Sequence, residues 1–152
     1  MKYILYSLIY VFLGPPASED ETIISPTFNA SGQCDNGWVC EHRWPAIKNM
    51  INFRIVTEGA IVFGFTNIAK NQIAFCRGAR GFVAINNSDQ DLKTSLVLCV
   101  PPGKYCDVIS GSLVDGKCTG RTIEVKLGKN QIEVPAEGAG AIAIHIGARL
   151  VR

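Results

Sequence analysis

From residue 72 onward the chain is a succession of short runs rich in Val, Ile, Leu and Phe, each closed by a turn signal. The runs fall at 72–77, 81–87, 94–100, 104–109, 122–127, 131–134 and 141–146. Between them stand Arg77-Gly-Ala-Arg-Gly81, Asn86-Asn-Ser-Asp89, Pro101-Pro-Gly103, Asp115-Gly116, Gly128-Lys-Asn130 and Glu137-Gly-Ala-Gly140. Runs this short, spaced this evenly and broken by Gly, Pro and Asn, form antiparallel strands and exclude helices of ordinary length. Thr122-Ile-Glu-Val-Lys-Leu127 and Gln131-Ile-Glu-Val134 alternate apolar with polar residues, so each has one face for a core and one for water. The fold class expected is mainly β, an antiparallel Greek-key sandwich or barrel.

One segment ahead of the strands has a different period. Trp44, Ile47, Met50, Ile51 and Ile55 recur at three- and four-residue steps, the signature of one helix face. Pro45 is tolerated because it falls in the first turn, and Gly59 closes the helix. Lys48 and Arg54 lie off the apolar stripe, with Arg54 partly buried. Residues 14–33, rich in Pro, Ser, Thr, Asn and acids, read as a loop. A single amphipathic helix in front of an all-β domain has no second helix to cover its stripe. It either packs on the sheet or belongs to something absent from this chain.

With 47% hydrophobic and 18% charged residues, the chain folds around a core rather than staying disordered. A net charge of +2, spread along the sequence without a run of Lys or Arg, argues against nucleic acid and against a membrane surface as partners. The six cysteines, Cys34, Cys40, Cys76, Cys99, Cys106 and Cys118, are many for a cytosolic domain. Zinc sites pair cysteines roughly two to four residues apart and repeat the pair downstream. Both intervals here, Cys34 to Cys40 and Cys106 to Cys118, are wider, and His42 has His145 as its one fellow histidine. Disulfides are the better reading: one at Cys34–Cys40, and one at Cys106–Cys118 stapling a strand to its long turn. They imply an oxidising, secretory setting and an extracellular protein.

Two sequons agree with secretion, Asn29-Ala-Ser31 and Asn86-Asn-Ser88, which make Asn29 and Asn86 candidate glycosylation sites. At the N-terminus, Met1-Lys2 precedes an uncharged apolar run, residues 3–13, and then Gly14-Pro15-Pro16-Ala17. The run resembles a signal peptide and falls short of the about 20 apolar residues that span a bilayer. The prolines fit poorly around a cleavage site before Ser18, and an irregular leader or a wrong start on a truncated chain is the alternative.

No chemistry is visible in the residues themselves. Hydrolases need paired carboxylates in a cleft, or a nucleophile beside a base. Glu41, Glu58, Asp89, Asp91, Asp107, Asp115, Glu124, Glu133 and Glu137 fall mostly in turns or on polar faces, where solvated surface is the expectation. His42, after the helix start, suits packing or capping better than base catalysis, and His145 falls on the strand face opposite Ile144 and Ile146. There is no phosphate loop, no Gly-rich fingerprint and no Ser or Cys nucleophile motif.

Certain strings nonetheless point to a family. Cys34-Asp-Asn-Gly-Trp-Val-Cys-Glu-His-Arg-Trp44 and Asn49-Met-Ile-Asn-Phe-Arg54 resemble the last barrel-helix region of animal α-amylases. Asn71-Gln-Ile-Ala-Phe75, Arg77-Gly-Ala-Arg-Gly-Phe82, Tyr105-Cys-Asp-Val-Ile-Ser-Gly111, Cys118-Thr-Gly120 and Ala143-Ile-His145 resemble that family's C-terminal β-domain. The resemblance runs in order from about residue 14, where Gly14-Pro15-Pro16 matches the entering loop, to the C-terminus. After the leader at 1–13, which lies outside the resemblance, it implies two parts: a loop and last helix of a missing catalytic (β/α)8 barrel at 14–59, and an all-β domain at 60–152. It also implies disulfides at Cys34–Cys40 and Cys106–Cys118.

The intact enzyme so implied is a secreted, retaining glycosidase that cuts internal α-1,4 bonds of starch and glycogen with two carboxylates, and requires calcium and chloride. Its catalytic motifs, a Gly-Phe-Arg-x-Asp stretch, a Glu at a strand end and an Asn-His-Asp, are absent from this chain, as are the chloride and calcium ligands. The chain therefore carries no catalytic, cofactor or metal residue of the family, is expected to be inactive alone, and is a monomer if folded. Cys76 and Cys99 stand where the family has other residues; they form a third bridge or remain thiols. Pro45 is a further departure, and residues 1–13 match nothing in the family. The competing reading is a stand-alone secreted β-domain that binds glucan or a protein partner.

Overall fold

A computed structural model of the chain describes residues 18–20, 22–137 and 140–151. The leader at 1–13 lies outside them. The chain divides into two compact units, one ending at Trp44 and one beginning at Pro45.

The described part of the first unit is a stapled loop. Phe28 and Cys34 form an isolated antiparallel bridge, and Cys34 is bonded to Cys40 with Cα atoms 5.7 Å apart. Side chains fill what regular structure does not. The Trp38 indole N–H donates to the Ile24 carbonyl, and Arg43 Nε donates to Gly32 O at 2.7 Å while its guanidinium lies 4.5 Å from the Phe28 ring centre. A short 3-10 turn, Glu41–Arg43, ends the unit and leaves His42 exposed. The packing role expected for His42 does not exist.

The second unit opens with helix α1, Pro45–Val56, whose first residue is the proline that a first turn accepts. Ten strands follow: β1 Val62–Ala69, β2 Gln72–Arg77, β3 Gly81–Asn86, β4 Leu92–Val97, β5 Gly103–Cys106, β6 Leu113–Val114, β7 Lys117–Cys118, β8 Thr122–Val125, β9 Lys129–Val134 and β10 Ala141–His145. One sheet has the order β1-β2-β3-β10, so the last strand returns beside the third; β4–β9, β5–β8 and β6–β7 pair separately. Every pairing is antiparallel. The mainly β class expected from the sequence is the class found.

Strands β3 and β10 are buried almost throughout because the four-stranded sheet is covered on both faces. Phe82, Ala84, Ile142 and Ile144 join Leu92, Tyr105, Val125, Ile132 and Val134 in one core. The alternate residues Val83 and Ala143 meet Phe53 of α1, Cys106, Val108 and Ala148 in a second. A period of two along each strand feeds both cores. Gly81 permits α1 to come this close, since a Cβ there would lie 2.8 Å from the Phe53 ring.

Two features differ from the sequence reading. Strand β1 was not expected: Val62-Phe-Gly-Phe-Thr-Asn-Ile-Ala69 has no clean alternation, and as an edge strand it is exposed along most of its length. The helix stripe is the second. Phe53 and Thr57 are buried and Met50 packs beside the core, whereas Ile51 and Ile55 are 57% and 63% exposed and Arg54 is exposed. Helix α1 is apolar on two sides, and the side docked on the sheet is not the one carrying Ile51 and Ile55.

Candidate functional site

Asp107 joins three segments of the second unit. Its carboxylate is fully buried, against the expectation of a solvated surface acid. One oxygen accepts from the backbone N–H groups of Ile109 (3.2 Å) and Ala143 (3.0 Å), and the other lies 3.1 Å from the Arg121 guanidinium. These partners come from the turn after β5, from β10 and from the start of β8, so one side chain fixes where three segments meet. Nearby, Asn49 of α1 donates through Nδ2 to Val108 O, Gly111 O and Ser112 Oγ at 3.1, 2.7 and 2.9 Å. Gly111 and Gly120 lie back to back, a Cβ on Gly111 falling on the Gly120 backbone nitrogen. The string Tyr105 to Gly111 and the Cys118-Thr-Gly120 segment are thus one structural knot.

The cysteines bind this framework together. Cys106 of β5 is bonded to Cys118 of β7, with Cα atoms 5.2 Å apart. Cys76 of β2 is bonded to Cys99, with Cα atoms 6.0 Å apart, tying the four-stranded sheet to the segment that follows β4. No free thiol remains among the described residues.

None of this is a catalytic arrangement. Glu58, Asp89, Asp91, Asp115, Glu124, Glu133 and Glu137 are exposed, and Glu41 is half-buried. His145 is buried at 1% exposure, with neither ring nitrogen hydrogen-bonded and its ring edge-on to Phe53 at 5.8 Å. Burial pushes its pKa below the ordinary histidine value. A groove bounded by Lys104, Glu124, Lys126, Leu127, Arg149 and Val151 holds no nucleophile beside a base. Among the described residues there is no group of three His, Cys, Asp or Glu side chains able to hold a metal ion, and Asp107 already has its donors. No described helix is long and apolar enough to cross a membrane.

The two sequons have opposite fates. Asn29 is exposed, its side-chain oxygen held in a turn. Asn86 is 4% exposed, and its Nδ2 donates to Gln90 O and Val134 O, both at 2.9 Å. The Asn86 nitrogen is buried and both of its N–H groups have acceptors. Spacing alone carried no information about that burial.

What the described surface does present is apolar. Ile51 and Ile55 on α1 are followed along the chain by Ile61 (73% exposed), Val62 (54%), Phe63 (45%) and Phe65 (57%). Successive exposed apolar residues of this kind are uncommon on a soluble surface.

The described residues define a disulfide-linked antiparallel β-domain with a leading helix. Residues 64–147 match the family model described as alpha amylase, C-terminal all-beta domain, and the chain belongs to that family. The alpha-amylase-related protein of Drosophila willistoni is 48% identical over 138 residues, covering 90% of this chain and 28% of that protein. The alpha-amylase-related protein of Drosophila melanogaster is 46% identical over the same length and shares. Among solved structures, a maltohexaose complex of a mutant alpha-amylase I from Eisenia fetida aligns with a TM-score of 0.71 at 35% identity, over 88% of this chain and 27% of that one. The chain thus spans little more than a quarter of the length of the relatives it matches.

Proposed function

We propose that this chain is the C-terminal portion of a secreted α-amylase-like protein, and that it is inactive by itself. The intact form would hydrolyse internal α-1,4 bonds of starch and glycogen with retention, using two carboxylates on barrel strands upstream, where its calcium and chloride would also be held. The role of this portion is to carry the last barrel helix on a rigid β-domain and present its outer face to the barrel.

One observation carries the reading: α1 has two apolar sides. Phe53 and Met50 serve the β-domain, while Ile51 and Ile55 stay exposed, in a chain that covers 28% of its relative. A helix that needed to satisfy its own domain alone would have polar residues at those positions. Secretion is supported by the three disulfides.

The test is to purify the oxidised chain and measure hydrophobic-dye binding, self-association and release of reducing ends from starch. The reading expects dye binding, association and no hydrolysis. A monodisperse monomer that ignores the dye overturns it.

The stand-alone binding module has one observation in its favour, the Phe65 and Phe75 rings stacked at 6.4 Å with Phe65 exposed. Trp38 is half-buried with its N–H on Ile24 O. Retention on insoluble starch that Phe65→Ala abolishes would favour this second reading; equal retention of the variant, or none, would sink it.

A further inference from the structure

We propose that Asn29 is the site of N-glycosylation in this chain, and that folding keeps Asn86 unmodified; the proposal rests on the secretory reading above. Both positions carry the same acceptor motif, Asn-x-Ser, and the full sequence contains no other. The difference between them lies in which atoms of each carboxamide the protein has already used.

At Asn29 the oxygen is fully engaged and the nitrogen is not. Oδ1 accepts from the backbone N–H of Ser31 (3.0 Å), the Ser31 hydroxyl (2.7 Å) and the backbone N–H of Gln33 (3.0 Å). Two backbone donors on one atom identify that atom as the oxygen, which leaves Nδ2 as the exposed end. The motif's own hydroxyl is folded onto the carboxamide it serves, and both residues are exposed. The turn sits beside the Phe28–Cys34 bridge, where the Asn29 N–H donates to Gln33 O at 3.0 Å, so the presentation is held by backbone bonds and the Cys34–Cys40 disulfide.

At Asn86 the assignment is equally fixed and the outcome reversed. Oδ1 accepts from Ser88 N–H and Gln72 Nε2, and Nδ2 gives both hydrogens, to Gln90 O and Val134 O. The residue ends β3, and its backbone N–H donates to Gly140 O at 2.7 Å. A sugar on that nitrogen would break the link to β9 and bring a hydrated group into the core, so a chain modified there cannot reach this fold.

The chemistry requires an oligosaccharide on a lipid diphosphate as co-reactant. A bond forms between Nδ2 of Asn29 and the anomeric carbon; the bond from that carbon to the diphosphate oxygen breaks, the diphosphate leaves with the electron pair, and Nδ2 loses one proton. The amide stays neutral, and the glycan adds hydrated bulk to the loop.

The experiment expresses the whole chain in a eukaryotic secretory host with a cleavable signal placed before Met1, so that entry does not depend on residues 1–13. The same chain starting at Met1 tests secretion separately, and its failure leaves the Asn29 result intact. In the secreted fraction with all six cysteines oxidised, peptide mapping should find one glycan, on Asn29. The endoglycosidase-sensitive gel shift should vanish in Asn29→Gln and Ser31→Ala and persist in Ser88→Ala, which destroys the second motif while leaving the Asn86 side chain in place. An oxidised, secreted chain without a glycan at Asn29, or with one at Asn86, overturns the proposal.

Discussion

Asp107 is held by partners that its own sequence neighbourhood does not announce: Arg121 lies just before β8, two strands further on, and Ala143 in the last strand. Removing the carboxylate orphans two backbone N–H groups, while the Arg121 guanidinium is partly exposed and still donates to Glu133 O. Asp107→Ala should therefore cost about 2–3 kcal/mol, the range for buried donors left without an acceptor. A denaturant melt checks it; a loss below about 1 kcal/mol would mean that water replaces the carboxylate. His145 makes the opposite case, a buried titratable group with no hydrogen-bonding partner at all. Its folded pKa is lowered by burial, so protons bind the unfolded chain more readily. The stability this confers is present above the unfolded value of about 6.5 and is lost as pH falls from there toward the folded pKa. His145→Phe should flatten the dependence in that window, read as denaturation midpoint against pH; an unchanged slope would place the sensitivity elsewhere.

Helix α1 shows what two apolar sides do to a substitution experiment. Phe53 fills the space against Val83, Ala143 and His145, and Phe53→Ala should lower stability by about 3–5 kcal/mol. Ile51→Ser with Ile55→Ser should change stability by under about 1 kcal/mol while reducing dye binding and self-association, because these side chains are exposed. Equal destabilisation by both sets would mean that the outer side is packed after all. The same helix marks the limit of reading by period: a three–four spacing of Ile and Met locates a helix but cannot say which of two apolar sides a neighbour covers. The strands with clean alternation, β8 and β9, were legible because one face of each meets water. Strand β1 was not, since Val62, Phe63 and Phe65 are apolar yet exposed, and β6 and β7 are too short to have a period. The cysteine intervals pointed to staples, but partners for Asp107 and the burial of Asn86 arise from pairings dozens of residues apart, which no local pattern encodes.

The whole molecule has an interior that is complete and a surface that is not. The two cores are closed by Phe82, Tyr105, Ile142 and Ile144 on one side of the sheet and by Phe53, Val83 and Ala143 on the other. The Cys76–Cys99 bridge spans the edge of the first core; replacing both cysteines by alanine should cost about 3 kcal/mol by freeing a loop of 23 residues in the unfolded chain. The exposed residues Ile51, Ile55, Ile61, Val62, Phe63 and Phe65 belong to neither core, and under the proposed function their occupant is the catalytic barrel. If that occupant is a catalytic barrel, restoring one changes two measurements together. Joining the part of the Drosophila willistoni alpha-amylase-related protein that lies outside the 138 matched residues to this chain ahead of Cys34 should then abolish dye binding and produce starch hydrolysis. Substituting Ile51 and Ile55 by aspartate in that fusion should bring the dye back and lower activity at elevated temperature first, since charged side chains would have to be desolvated at the joint. A fusion that is active but still binds dye as the isolated chain does would show that the barrel covers some other face.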